Sequence, residues 1–228
     1  MAAEFEADEI GKSVFFNISA FGRPVKTTIL MGGLEFGTYT DILKSIHETD
    51  VLPDYDKSLY QRIIDRRRQF IVPGVVPGTG QFPDSRARVV DGGREYDLDA
   101  IRSGSVIPPL FQDLPVSYAV LNLSIALQSK VALQRVGLTP GMSIFVEGGF
   151  RHNPDYNLLL ASFFPDNPVF LTGIEEATSF GTALTAWAAR EDAGPERYAP
   201  LFEIETFPVH PESFSGITEY EKEFFSHI

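Results

Sequence analysis

The chain has 228 residues, of which 43% are hydrophobic and 22% charged, the balance of a globular protein that can bury a full core. Its formal charge of -12 opposes a nucleic-acid partner, because phosphate binding needs clustered lysine and arginine. The absence of cysteine excludes disulfides, thiolate metal sites and cysteine nucleophiles, and it fits a reducing compartment.

No run approaches the ~18–20 apolar residues needed to cross a bilayer, so no membrane partner is expected. The opening MAAEFEADEIGK is acidic and lacks the basic and apolar regions of a signal peptide. The expected location is the cytoplasm. Ser13 to Ser19 and Val25 to Leu30 are β-prone segments around a Gly22/Pro24 turn, which predicts a hairpin. Near-helical apolar spacing predicts helices over Leu34 to His47 and Ser58 to Gln69. Val72 to Leu114 is rich in proline and glycine and reads as a long irregular excursion.

Val116 to Val136 contains neither glycine nor proline and is apolar around most of its circumference, so it reads as a helix buried against a sheet. A strand at Ser143 to Val146 follows, then a helix from Asn153 to Phe164 with Asn153 as cap and Pro154 in its first turn. Pro168 to Leu171 reads as a strand and Glu175 to Arg190 as a helix rich in small residues. The acidic, aromatic tail beyond Glu191 is expected to pack an edge and end in a helical turn. Alternating helices and strands from Val116 onward predict an α/β layer with parallel strands, in one domain over residues 1–228.

Two segments carry chemistry. In EGGFRHNP (Glu147 to Pro154), paired glycines let backbone approach a ligand, and the next helix offers free amides to a phosphate. A plain tight turn is the alternative reading. In EEATSFGTALTA, Gly181 inside a helix costs about 1 kcal/mol against alanine, which close helix packing or an adjacent ligand would explain. VPGTGQFPD lacks the lysine and the strand–helix setting of a P-loop and reads as turns. Arg66, Arg67 and Arg68 read as a solvated helix face, and His152 as an exposed histidine near a cap. His47, His210 and His227 are too scattered for a metal site, and no GxSxG elbow supports a serine hydrolase.

Taken in order, VEGGFRHNPDYNLLLASFFPDNPVFLT followed by EEATSFGTALTA resembles the C-terminal segment of the FGGY carbohydrate kinases, of the actin-like ATPase superfamily. NISAFGRPVKTTILMGGLEF, VPGVVPGTGQFPD and PVSYAVLNLSIALQSKVALQRVGL are similar to upstream segments of the fuculose and rhamnulose kinases, extending the likeness over about Glu9 to Arg190. The resemblance implies an α/β, ribonuclease-H-like C-terminal domain lacking its first strands. It also implies ATP and Mg²⁺ as cofactors, and transfer of the γ-phosphoryl group to the hydroxyl of a small sugar. By residue matching, Gly148, Gly149 and Asn153 would lie at the adenosine, with Gly181 beneath it in a close-packed helix.

The family's N-terminal domain and the segment bearing its catalytic aspartate have no counterpart here, and neither Glu147 nor Asp155 is assigned that role. No catalytic residue is therefore named. The expectation is the ATP-binding part of a kinase that needs a separate N-terminal half as partner; a homo-oligomer, favoured by an unpaired sheet edge, goes with the other reading. The alternative is a non-catalytic remnant or binding module that keeps the fold.

Overall fold

The computed structural model describes residues 11–228 apart from 12, 21, 175, 192, 195 and 196. Most of the acidic opening, and Glu175 where the sequence reading begins a helix, lie outside the described residues. The chain forms a mixed α/β structure around one central helix.

That helix, α4 (Leu114–Arg135), starts where Asp113 accepts a hydrogen bond from the Val116 amide and Pro115 stands in the first turn. Sequence reading found no run long enough to cross a bilayer, but by length and mean hydropathy this helix is one; 78% of its apolar window is buried inside the fold, as in a core helix. Its polar residues Ser117, Asn122, Ser124, Gln128 and Ser129 are buried too, and each makes a hydrogen bond. Ser124 Oγ donates to the Ile71 carbonyl (2.6 Å), and Gln128 Nε2 donates to Glu35 Oε2 (2.8 Å). Asn122 Oδ1 accepts from Asn153 Nδ2 at 2.8 Å. An apolar rod could slide or rotate against its neighbours, whereas these bonds fix its register.

Two strands, β1 (Val14–Ile18) and β2 (Pro24–Thr28), form the expected antiparallel hairpin. Helix α1 (Gly32–His47) packs on α4. Helix α2 (Lys57–Arg66) is capped by Asp56, whose side chain accepts from the Ser58 and Leu59 amides. It stops at Arg67, which turns left-handed with φ 49°, so Gln69 belongs to a strand instead of the expected helix. Arg66, Arg67 and Arg68 are all exposed.

The proline- and glycine-rich excursion contains a second sheet. Strands β3 (Gln69–Val72), β4 (Arg88–Asp91) and β5 (Arg94–Asp97) pair antiparallel in that order, followed by the short helix α3 (Leu98–Arg102). The β4–β5 turn is Gly92–Gly93, both at positive φ (61° and 84°), as a two-residue hairpin requires. These strands are four residues long and flanked by turn residues, too short for periodicity to mark them. Between β3 and β4 the loop closes on itself. A Cβ on Gly74 (φ 126°) would lie 2.6 Å from the Ser85 carbonyl oxygen.

The third sheet has the order β6 (Ile144–Val146), β7 (Val169–Thr172), β8 (Thr206–Val209). The β6–β7 pair is parallel, with helix α5 (Pro154–Phe163) crossing between them, while β8 runs antiparallel to β7. Pro208 sits in this edge strand, where its missing N–H costs no ladder bond. Helix α6 (Ala177–Arg190) follows β7. The tail ends in helix α7 (Ile217–Ser226), whose Tyr220 and Phe224 are buried against Phe70 with ring centroids at 5.0 and 6.5 Å. The tail is thus part of the core.

Candidate functional site

Parallel pairing brings the carboxyl ends of β6 and β7 side by side, with Val146 opposite Leu171. Thr172 Oγ1 donates across this end to Glu147 Oε1 at 3.3 Å. Each strand then leads through a short connection into a helix, α5 or α6, so two helix N-termini follow the same end of the strand pair. Crevices at the carboxyl ends of parallel strands are where α/β sheets bind ligands, and helix N-termini there favour anions.

Gly148, Gly149 and Asn153 lie together on the first connection. A 3₁₀ turn spans Gly148–His152, opened by Gly148 at φ 66°; Gly149 has no such requirement. Both glycines are exposed and have open space where a Cβ would project. The turn is held from inside. Phe150 packs between Phe36 and Tyr156, and Asn157 Nδ2 donates to the Phe150 and Arg151 carbonyls.

Asn153 caps α5 as expected, accepting from the Tyr156 amide at 3.0 Å. Its Nδ2 is committed to Asn122, so both polar ends of this buried side chain are used within the protein. Asp155 also turns inward. Tyr60 Oη donates to its Oδ2 at 2.6 Å, and burial raises its carboxyl above the ordinary aspartate range despite that bond.

Gly181 lies on the second connection, in the second turn of α6. The close packing expected there is not seen among the described residues, none of which stands within 4 Å of where its Cβ would be. It borders an open depression with Ala177, Thr178, Leu184 and Ala20. Only Ala188 of α6 is fully buried, and among the described residues no side chain caps the helix N-terminus. Its first-turn amides keep their capacity for a ligand.

Sequence reading passed over Arg151. Its Nη1 is buried with no hydrogen-bond partner among the described residues, as is Asn157 Oδ1. A cation within a Gly-Gly–to–Asn turn was the available signal. His152 is exposed, and His47 Nε2 lies 2.9 Å from the Phe111 carbonyl, a bond of the fold. The VPGTGQFPD loop is likewise used internally. Glu35 accepts from the Gly74 amide, Gly80 donates to Ser13 Oγ, and Arg135 Nη1 donates to the Gln81 carbonyl. Among the described residues no group of three or more His, Cys, Asp or Glu side chains gathers as a metal site.

Residues 6–195 match the family model described as carbohydrate kinase FGGY, C-terminal domain. Among solved structures, the chain is similar to a carbohydrate kinase from Novosphingobium aromaticivorans, with a TM-score of 0.65 and 20% sequence identity. The likeness covers 96% of this chain and 41% of that one, so the chain spans less than half the length of this relative. At that identity the likeness speaks for the fold alone. No curated protein matches the chain.

Proposed function

The chain belongs to the FGGY carbohydrate kinase family through its C-terminal domain, and on that premise we propose that it forms the nucleotide side of a sugar-kinase cleft. In this reading the adenosine of ATP lies against the Gly148–Gly149 turn and the start of α6, with Gly181 on the near face of that helix. Asn153 holds the turn in place from behind instead of touching the ligand. The observation that carries the reading is the pairing of an exposed Gly-Gly turn with an uncapped helix N-terminus at the carboxyl end of parallel strands.

The residues present fit a nucleotide. The exposed backbone of Gly148 and Gly149 admits a flat ring, and the first-turn amides of α6 can take an anion. ATP would supply the γ-phosphoryl group for transfer to a sugar hydroxyl. With no acidic cluster among the described residues, Mg²⁺ would be held by the phosphates and by groups outside this chain. Phosphoryl transfer rests on positioning and charge stabilisation around an acceptor oriented by a carboxylate. Here Glu147 is engaged by Thr172 and Asp155 by Tyr60, so we assign the base and the sugar site to a separate N-terminal half. Nearest kinship to the fuculose and rhamnulose kinases, and a cytoplasmic location, belong to the same proposal.

Calorimetric titration with MgADP and MgATP tests it. Saturable binding by the wild type is expected, with loss in Gly149→Val. Because Gly149 has open space and an ordinary φ, valine there leaves the fold intact and blocks only the ligand. A folded wild-type chain that gives no heat, or a Gly149→Val chain that binds normally, would overturn the assignment.

A further inference from the structure

The glycine turn is held by a relay of two buried amides that begins on α4. Asn122, fully enclosed, donates from Nδ2 to the Tyr118 carbonyl at 3.0 Å and accepts at Oδ1 from Asn153 Nδ2 at 2.8 Å. Asn153 in turn accepts at Oδ1 from the Tyr156 amide at 3.0 Å. The main chain fixes both ends, because a carbonyl can only accept and an N–H can only donate. Each side-chain amide therefore has one permitted orientation. Turning either one over would set oxygen against oxygen at one contact and N–H against N–H at the other.

The same stretch of α4 supports the turn a second time. The Tyr118 ring, about one helical turn before Asn122, lies edge-on to Phe36 with centroids 6.1 Å apart. Phe36 lies edge-on to Phe150 at 5.7 Å, and Phe150 belongs to the 3₁₀ turn that Gly148 opens. Ring contacts tolerate a range of angles and distances, whereas the relay of amides admits one arrangement. The relay is thus the part that sets where the backbone of residues 148–153 stands.

We propose that Asn122 is a positioning residue for nucleotide binding, acting through Asn153 on the Gly148–Gly149 turn. It holds the Asn153 side chain in the one orientation that caps α5, and the cap holds the turn in its open form before a ligand arrives. Preorganisation of this kind spares binding the cost of ordering the turn. Without Asn122, the buried Asn153 Nδ2 would have to find another acceptor, and the cap would be lost whenever it turned over. The role rests on the reading of this turn as the adenosine wall.

The test compares three variants of the full chain by MgADP titration, urea unfolding and hydrogen exchange. Asn122→Leu removes both bonds and is expected to weaken MgADP by about tenfold, within the cost of one unpaired buried amide. Asn122→Asp keeps the acceptor toward Asn153 and is expected to bind as the wild type does, although its buried carboxyl lowers stability. Affinity and stability therefore part company, which a merely structural role would not produce. In the ligand-free chain, exchange at the Asn153 and Tyr156 amides, bonded to the Phe150 carbonyl and Asn153 Oδ1, is expected to quicken in Asn122→Leu and not in Asn122→Asp. Ser124→Ala, as deeply buried on α4 but bonded to Ile71, is expected to leave affinity and both amides unchanged. If Asn122→Leu fails to fold, Asn122→Ser replaces it with the same expectation. The proposal is overturned by wild-type exchange at both amides in the leucine variant, by equal loss of affinity in the leucine and aspartate variants, or by an equal loss in Ser124→Ala. A wild-type chain that takes up no nucleotide counts against the nucleotide reading, and the exchange rates alone then decide whether Asn122 holds the turn.

Discussion

The sheets β3–β4–β5 and β6–β7–β8 have equal strand numbers but are finished differently. In the first, Phe70, Ile71, Val72, Val89 and Val90 are all buried, under α4 on one side and with the rings of α7 against Phe70. In the second, Phe145 is 55% exposed and Phe207 49%, and the helix after β7 buries little. Buried polar groups do not divide so cleanly: Glu35, Ser124 and Gln128 are buried and hydrogen-bonded beside the first sheet, but among the described residues Tyr39 Oη lacks a hydrogen-bond partner, as does Arg151 Nη1. One region is a closed core; the other holds surface in reserve for ligand or partner.

Three substitutions probe that contrast. The largest effect is expected at Gly74, in the closed region. Gly74→Ala sets a Cβ 2.6 Å from the Ser85 carbonyl at φ 126°, and neither backbone segment can yield cheaply. A loss of about 3 kcal/mol or more is expected in urea unfolding. A near-neutral result would show the loop to be looser than its hydrogen bonds imply.

Asp155, at the junction of the two regions, should give an intermediate, pH-dependent effect. Burial raises its folded pKa above the ordinary 3.8. The folded chain therefore holds this proton more tightly than the unfolded chain. The contribution is present below pH 3.8 and is lost as pH rises through the raised folded value. Asp155→Asn keeps an acceptor for Tyr60 and cannot ionise. Its stability relative to wild type is expected to improve across that window and level off above it. A constant difference from pH 3 to pH 7 would contradict the burial argument.

The smallest effect is expected at Gly181, where the open region predicts a gain. With nothing within 4 Å, Gly181→Ala should stabilise the chain by about 0.5–1 kcal/mol, the ordinary helix preference for alanine. A thermal or urea melt checks the sign. Destabilisation would mean that α6 is packed closely after all.

Elements long enough to show a period were legible in the sequence. The glycine- and proline-free, mostly apolar stretch of α4 from Val116, the Asn153–Pro154 start of α5 and the β1–β2 hairpin all stand where residue pattern placed them. The strands β4 and β5 were hidden inside a stretch whose composition reads as loop, although Asp-Gly-Gly between two valine- and tyrosine-bearing runs was a hairpin signal. The Gly148–Gly149 turn was legible as a motif. That Asn153 faces inward was not, because its partner Asn122 is 31 residues away on another helix.

By itself the sequence determined the periodic elements, their caps and the order of strand, glycine turn and helix that marks the family, since these depend on neighbours along the chain. Tertiary structure alone decided which polar groups are consumed and which remain available. Gln128 is spent on Glu35 and Asp155 on Tyr60, while Arg151 Nη1 is left without a hydrogen-bond partner among the described residues. Hydrogen-bond satisfaction and burial are properties of residues brought together from distant positions, and no local pattern encodes them.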